Sequence, residues 1–178
     1  MKTALLLLLA GLAAGAAEQK TVRAPLVSPA NRRSAPGFHL TNAAGKAVDI
    51  SAFRGKVMLL DFWATECGGC KVEIPWFMEM AAAWKGQPVA VVGVSMDVLY
   101  ENLKDASEGW GKVKPFVREH GVNYPILMGD DAVTKSYDIQ ALPATYLIDR
   151  KGRIAATYVG VVNREDVEAN IKALLGER

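Results

Sequence analysis

Residues 63 to 75 read "WATECGGCKVEIP", and this stretch holds both cysteines of the 178-residue chain, Cys67 and Cys70. Two cysteines fall three positions apart by chance in roughly one placement in a hundred, so the spacing asks for a chemical reason. Before them, "KVMLLDFWA" is a near-continuous apolar run, the pattern of a strand covered on both faces. After them, "CGGCKVEIPWFMEMAAAWKG" reads as a helix with Pro75 inside it, where a kink is expected, and Gly86 at its end. A cysteine at the start of such a helix sees unpaired backbone N–H groups and the positive end of the helix dipole, and both favour thiolate over thiol. Cys67 is therefore the candidate nucleophile. Cys70, one turn further in, is placed to attack a mixed disulfide formed at Cys67 and release the partner reduced.

Outward from this motif, apolar runs alternate with helix-like segments. "FHL" and "AVDI" flank a turn at "TNAAGK" and predict a hairpin. "VAVVGVSMD" predicts a second buried strand, and residues 98 to 120 an amphipathic segment broken at "EGWG". "YPILMGD" reads as a short strand and "DAVTKSYDI" as a short helix opened by Asp130 or Asp131. "ATYLID", the turn "RKGR" and "IAATYVG" form a hairpin, and a closing helix runs from Arg164 to Leu175. Alternation followed by a terminal hairpin predicts an α/β domain with a mixed central sheet, over residues 36–178.

The N-terminus carries Lys2 ahead of an apolar stretch from Ala4 to Ala17, with Ala14-Gly15-Ala16 as a cleavage signature. This is the pattern of a secretory signal peptide over residues 1–17. Its apolar length of about 21 Å falls short of the roughly 30 Å hydrocarbon core, so no membrane span is expected after cleavage. Residues 18–35, with two prolines inside, Pro36 directly after and little periodicity, read as a flexible linker. The expected location is exported, periplasmic or otherwise extracytoplasmic, where disulfides persist. Two cysteines are too few for a stapled scaffold, so these thiols do not serve bulk stability.

Other chemistries fit less well. With 21 Lys+Arg against 19 Asp+Glu and no long basic cluster, the chain has no electrostatic footprint for nucleic acid. No Gly-rich phosphate loop or nicotinamide or flavin signature is present, so no cofactor is expected. A zinc site would need two more ligands, and only His39 and His120 exist as histidines. Haem attachment fails because Lys71 follows Cys70. The competing reading is a copper-delivery or metal-binding module using Cys67, Cys70 and His120, since thiolate and imidazole suit copper.

"DFWATECGGC", with "ALPATYLIDRKGRI" some 70 residues downstream, resembles the thioredoxin-like superfamily, specifically the exported TlpA/ResA-type thiol-disulfide oxidoreductases that share a fold with the AhpC/TSA, or redoxin, group. The resemblance runs from about Ala35 to the C-terminus. It implies a thioredoxin-like fold and a redox couple at Cys67 and Cys70. It further implies a cis-proline at Pro143, with Leu142 before it gripping an extended substrate through its backbone. Asp61 matches the buried acid beneath the resolving cysteine, and Glu73 matches a glutamate three residues after the second cysteine. Either could take the Cys70 proton if burial raises its pKa. Trp63 is expected beside the site, packing near the substrate position. A peroxidatic Pro-x-x-x-Thr-x-x-Cys setting is missing, because "LLDFWATE" precedes Cys67.

Glu66 departs from the usual uncharged residue before the nucleophile, and Gly68-Gly69 from the usual proline-containing pair. A carboxylate beside Cys67 disfavours the thiolate and so the reduced state, which points to a reductant rather than an oxidant. The partners implied are exported proteins carrying disulfides or thiols, and a membrane thiol protein as electron donor.

Overall fold

All seven positions of the run Val57–Trp63 are buried, because this strand lies near the middle of a seven-stranded sheet with cover on both faces. The computed structural model describes residues 20–177, so the expected signal peptide lies outside the described residues. The elements are β1 (His39–Asn42), β2 (Ala47–Asp49), β3 (Val57–Trp63), α1 (Gly68–Ala83), β4 (Val89–Ser95), α2 (Asp97–Tyr100), α3 (Ala106–Glu119), β5 (Ile126–Met128), α4 (Asp131–Ser136), β6 (Ala144–Ile148), β7 (Ile154–Val159) and α5 (Arg164–Gly176). Strand order is β2-β1-β5-β4-β3-β6-β7. β3, β4 and β5 run parallel, while β6, β7, β1 and β2 pair antiparallel with their neighbours.

Side chains alternate across a strand, so β3 feeds two cores. Val57, Leu59 and Trp63 pack with Ile74 and Phe77 of α1, Val113 of α3 and Ile171 of α5. Met58, Leu60 and Phe62 pack on the other face with Tyr137 and Tyr146. The same alternation places Asp61 on the α1 side, beneath the cysteine helix. At the C-terminal end of β3 the chain turns through Ala64–Glu66 into α1, which continues through Pro75 to Ala83.

Two expectations are corrected. "EGWG" does not break a helix: α3 runs through it, and the interruption lies before Asp105, whose carboxylate accepts from the N–H groups of Ser107 and Glu108. Gly109 serves packing instead, since a Cβ there would come within 2.7 Å of Val98 Cγ2 and 3.0 Å of Met128. Nor are residues 20–35 a free linker. Val22 N–H donates to Val161 O, and Asn163 N–H to Val22 O, both at 2.7 Å, while Val27 N–H donates to Ala155 O at 2.8 Å. Ile154 N–H donates to Arg33 O and Ala35 N–H to Gly152 O, both at 2.9 Å. The prolines suppress periodicity without preventing this, because a strap along an edge strand needs only some of its N–H groups. Arg32 anchors the strap, with its side chain 1% exposed, donating to Asp149 at 3.1 Å and to both oxygens of Glu177.

Candidate functional site

The cysteines sit where β3 ends and α1 begins. Cys67 is the helix N-cap, and its Sγ accepts from Cys70 N–H at 3.2 Å. The two are joined as a disulfide, with Cα atoms 5.3 Å apart. Cys67 lies between exposed Glu66 and exposed Gly68 and keeps 4% of its surface, against 1% for Cys70. Of the two sulfurs, that of Cys67 belongs to the residue a partner would meet first. When the bond opens, a Cys67 thiolate gains from the helix N-terminus and from the Cys70 N–H.

The loop before Cys67 is fixed by a residue that sequence reading missed. Asp97, fully buried at the start of α2, accepts from Thr65 N–H at 3.1 Å, from Thr65 Oγ1, and from Ser95 Oγ at 2.8 Å. Met96 N–H donates to Trp63 O at 2.7 Å on the same corner. The only sequence signal was an acid directly after the apolar run "VAVVGVSM".

Pro143 is brought to the cysteine turn, and the Leu142–Pro143 bond is cis. A Cβ on Gly69 would lie 3.1 Å from Pro143 Cδ and 3.0 Å from Val161 Cγ2. Gly69 is therefore a site of close approach between the turn and these two residues. Val161, which sequence reading did not single out, shares this contact. Leu142 is half-buried, and its backbone N–H and C=O make no hydrogen bond among the described residues. These groups are free to pair with an extended chain.

Beneath the disulfide lie two carboxyl groups. Asp61 is 1% exposed and Glu73 is fully buried, and Glu73 Oε1 accepts from Val162 N–H at 2.6 Å. Burial pushes the Glu73 carboxyl up to about 8, with the Val162 hydrogen bond opposing. Burial and then the proximity of Glu73 push Asp61 well above the ordinary carboxylate range. Both groups can thus hold or accept a proton near neutral pH, which a surface aspartate or glutamate would not do.

Trp63 does not belong to a substrate surface. It is fully buried, with its ring 5.3 Å from that of Phe116, because its position on β3 points it into the α1-side core. Glu66 is exposed and ion-paired with Lys71 at 3.4 Å, so part of its charge is offset by a lysine one turn on. His120 stacks on Phe116 at 4.0 Å, beyond the C-terminus of α3. Its neighbour Gly121 lies near Met78, about ten residues, or roughly 15 Å, down α1 from the cysteines. The structure therefore does not bring His120 to the pair, and among the described residues no group of three or more His, Cys, Asp and Glu could hold a metal ion. No helix among the described residues is long and apolar enough to cross a membrane.

Comparison with known proteins bears on the family, the fold and the activity. The AhpC/TSA family model matches residues 32–157. Thiol-disulfide oxidoreductase ResA of Geobacillus kaustophilus is 30% identical over 142 residues, covering 79% of this chain and 76% of that protein. Thioredoxin-like protein YneN of Bacillus subtilis is 30% identical over 139 residues, covering 78% of this chain and 77% of that one. A thiol:disulfide interchange protein, DsbE, from Chlorobium tepidum superposes with a TM-score of 0.70 at 27% identity, covering 88% of this chain and all of that one. With its paired cysteines at the head of α1 and a mixed sheet behind them, the chain belongs to the AhpC/TSA family and is a thiol-disulfide oxidoreductase of thioredoxin-like fold.

Proposed function

We propose that this oxidoreductase is exported and works as a reductant of protein disulfides. The observation that carries the reading is the placing of the Cys67–Cys70 pair at a helix N-terminus, between the free backbone of Leu142 and the buried carboxyls of Asp61 and Glu73. An extended client segment pairs with Leu142, and Pro143 holds it against the sulfurs. The Cys67 thiolate attacks the client disulfide, forming a mixed disulfide and expelling one client thiolate. Asp61 or Glu73 takes the proton of the Cys70 thiol. The Cys70 thiolate then attacks Cys67 Sγ, restoring the internal disulfide and releasing the second client thiolate, so two electrons pass to the client.

Glu66 beside the nucleophile, with no histidine between the cysteines, supports a reducing poise, with a potential below about −200 mV. Export rests on the signal pattern at residues 1–17 together with a dithiol that would be re-reduced by a membrane thiol protein. The clients are exported proteins carrying disulfides or oxidised thiols. The test is Cys70→Ser incubated with a disulfide-bonded client such as insulin. A stable covalent complex through Cys67 is expected, against catalytic reduction by the unaltered protein. No complex with Cys70→Ser and no insulin reduction by the parent would overturn the reading.

A further inference from the structure

One short loop, leading from β7 into α5, touches the redox centre through three consecutive residues. Gly160 N–H donates to Pro143 O at 2.9 Å. Val161 lies against the cysteine turn, where a Cβ on Gly69 would come within 3.0 Å of its Cγ2. Val162 is fully buried, and its N–H donates to Glu73 Oε1 at 2.6 Å. The loop brings no ionisable side chain of its own, for it reads Gly160, Val161, Val162, Asn163.

From its other side the loop is held by the strap. Val22 forms a parallel bridge with Val162: its N–H donates to Val161 O and its carbonyl accepts from Asn163 N–H, both at 2.7 Å. Val161 O and Val162 N–H belong to one peptide group, which is planar and trans, so the two point in opposite directions. That single rigid unit joins Val22 on the strap to Glu73 on α1. A carbonyl that accepts a hydrogen bond polarises its peptide and makes the N–H a stronger donor, while a tilt of the plane weakens both bonds together. Neighbouring contacts keep the strap seated here, since Ala24 N–H donates to Asp166 at 3.1 Å and Asn170 donates to Ala24 O at 2.9 Å.

We propose that Val22 is a positioning residue of the redox centre, its backbone N–H acting through the Val161–Val162 peptide to hold the hydrogen-bond donor on Glu73 while Cys70 is deprotonated. The inference rests on the reading that a buried carboxyl takes the Cys70 proton. In that step the proton passes from Cys70 Sγ to a carboxylate oxygen and no electrons move. Glu73 Oε2, buried and without a partner among the described residues, is the oxygen open to it. The Val162 N–H favours the ionised form of Glu73, so a weaker donor leaves Glu73 protonated to higher pH. Besides Cys70, the ionisable groups that feel Glu73 are Asp61 from β3 and Tyr124 ahead of β5. Arg23, next to Val22 on the strap, is exposed and paired with Glu165 and Asp166, each 3.8 Å away.

The test uses Val22→Pro in the full-length chain, which removes the N–H and keeps the carbonyl that accepts from Asn163. The reduced protein is mixed with a dithiobis-nitrobenzoate probe, whose first coloured thiolate reports attack by Cys67 and whose second reports resolution by Cys70. The first release is expected to keep its rate, and the second to slow about threefold or more at neutral pH as its pH midpoint rises. Arg32→Ala loosens the opposite end of the strap and is the control: it is expected to lose stability while both releases and the midpoint stay as in the unaltered protein. A second release unchanged in Val22→Pro, or moved equally in Arg32→Ala, overturns the role of Val22 and leaves the dithiol reading intact, whereas an unaltered protein without a second release overturns both. Should Val22→Pro fail to fold, amide-resolved NMR of the unaltered protein decides. A Val22 amide signal that moves with the same pH midpoint as that of Val162 supports the link through the shared peptide, and a Val22 amide indifferent to the titration that moves Val162 overturns it.

Discussion

Glu73 carries a pH dependence whose sign follows from its burial. Its folded pKa of about 8 exceeds the ordinary value of 4.5, so the unfolded chain ionises first. Stability from this group is therefore fully present below about pH 4.5 and is lost as pH rises to about 8. The slope is at most about 1.4 kcal/mol per pH unit per group. Denaturant titrations at pH 5, 6, 7 and 8 should show a decline that Glu73→Gln makes shallower, the remainder belonging to Asp61. The amide keeps an oxygen to accept from Val162 N–H, so the variant should fold. A decline of equal steepness in both proteins would count against Glu73 as its source. These residues were readable in the sequence to different degrees. Cys67, Cys70 and Pro143 were legible because motif and spacing constrain them. Asp61 was legible because apolar neighbours flank it. Glu73 was named only through the family resemblance, and its burial was not legible, since a helix with apolar residues on most sides has no clear outer face. Trp63 was misplaced because proximity along the chain to the cysteines says nothing about which side of β3 a ring occupies.

At the level of elements, the corner joining β3 to α1 depends on a contact between segments 32 residues apart, Thr65 to Asp97. Removing the Asp97 carboxylate strands the Thr65 N–H and the Ser95 hydroxyl in a buried site. Asp97→Ala is expected to destabilise the fold by about 2 to 4 kcal/mol, read from denaturant unfolding, and to slow attack by Cys67 as its loop loosens. A stable variant with unchanged attack rate would mean that the corner is held by the backbone pairing of β3 and β4 alone. Such long-range contacts are why sequence reading located the strands and the cysteine helix but not what fixes the turn between them. The same limit explains "EGWG": Gly109 reads as a helix breaker from local propensity, yet the proximity of Val98 and Met128 makes its missing side chain an advantage.

Across the whole molecule, the strap of residues 20–35 ties the start of the described chain to its end. Arg32 meets Asp149 from the β6–β7 turn and Glu177 beyond α5, so one guanidinium joins three distant segments. Arg32→Ala is expected to cost about 2 to 3 kcal/mol in denaturant unfolding, less than a fully orphaned buried pair because Arg153 remains beside Asp149. A change within about 0.5 kcal/mol would show that the strap's backbone hydrogen bonds suffice without it. Composition hid this segment, for prolines and charges look alike whether a chain is loose or laid against an edge.

By laying its own backbone against the start of β7 and the chain just past its end, the protein blunts an edge on which stray strands could otherwise assemble. On the reading proposed above, main-chain recognition of a client would fall to the short stretch around Leu142, where a visitor would be held by its peptide groups. Under that proposal, selection among clients would turn less on their sequence than on whether a few residues around their own bridge can be pulled straight.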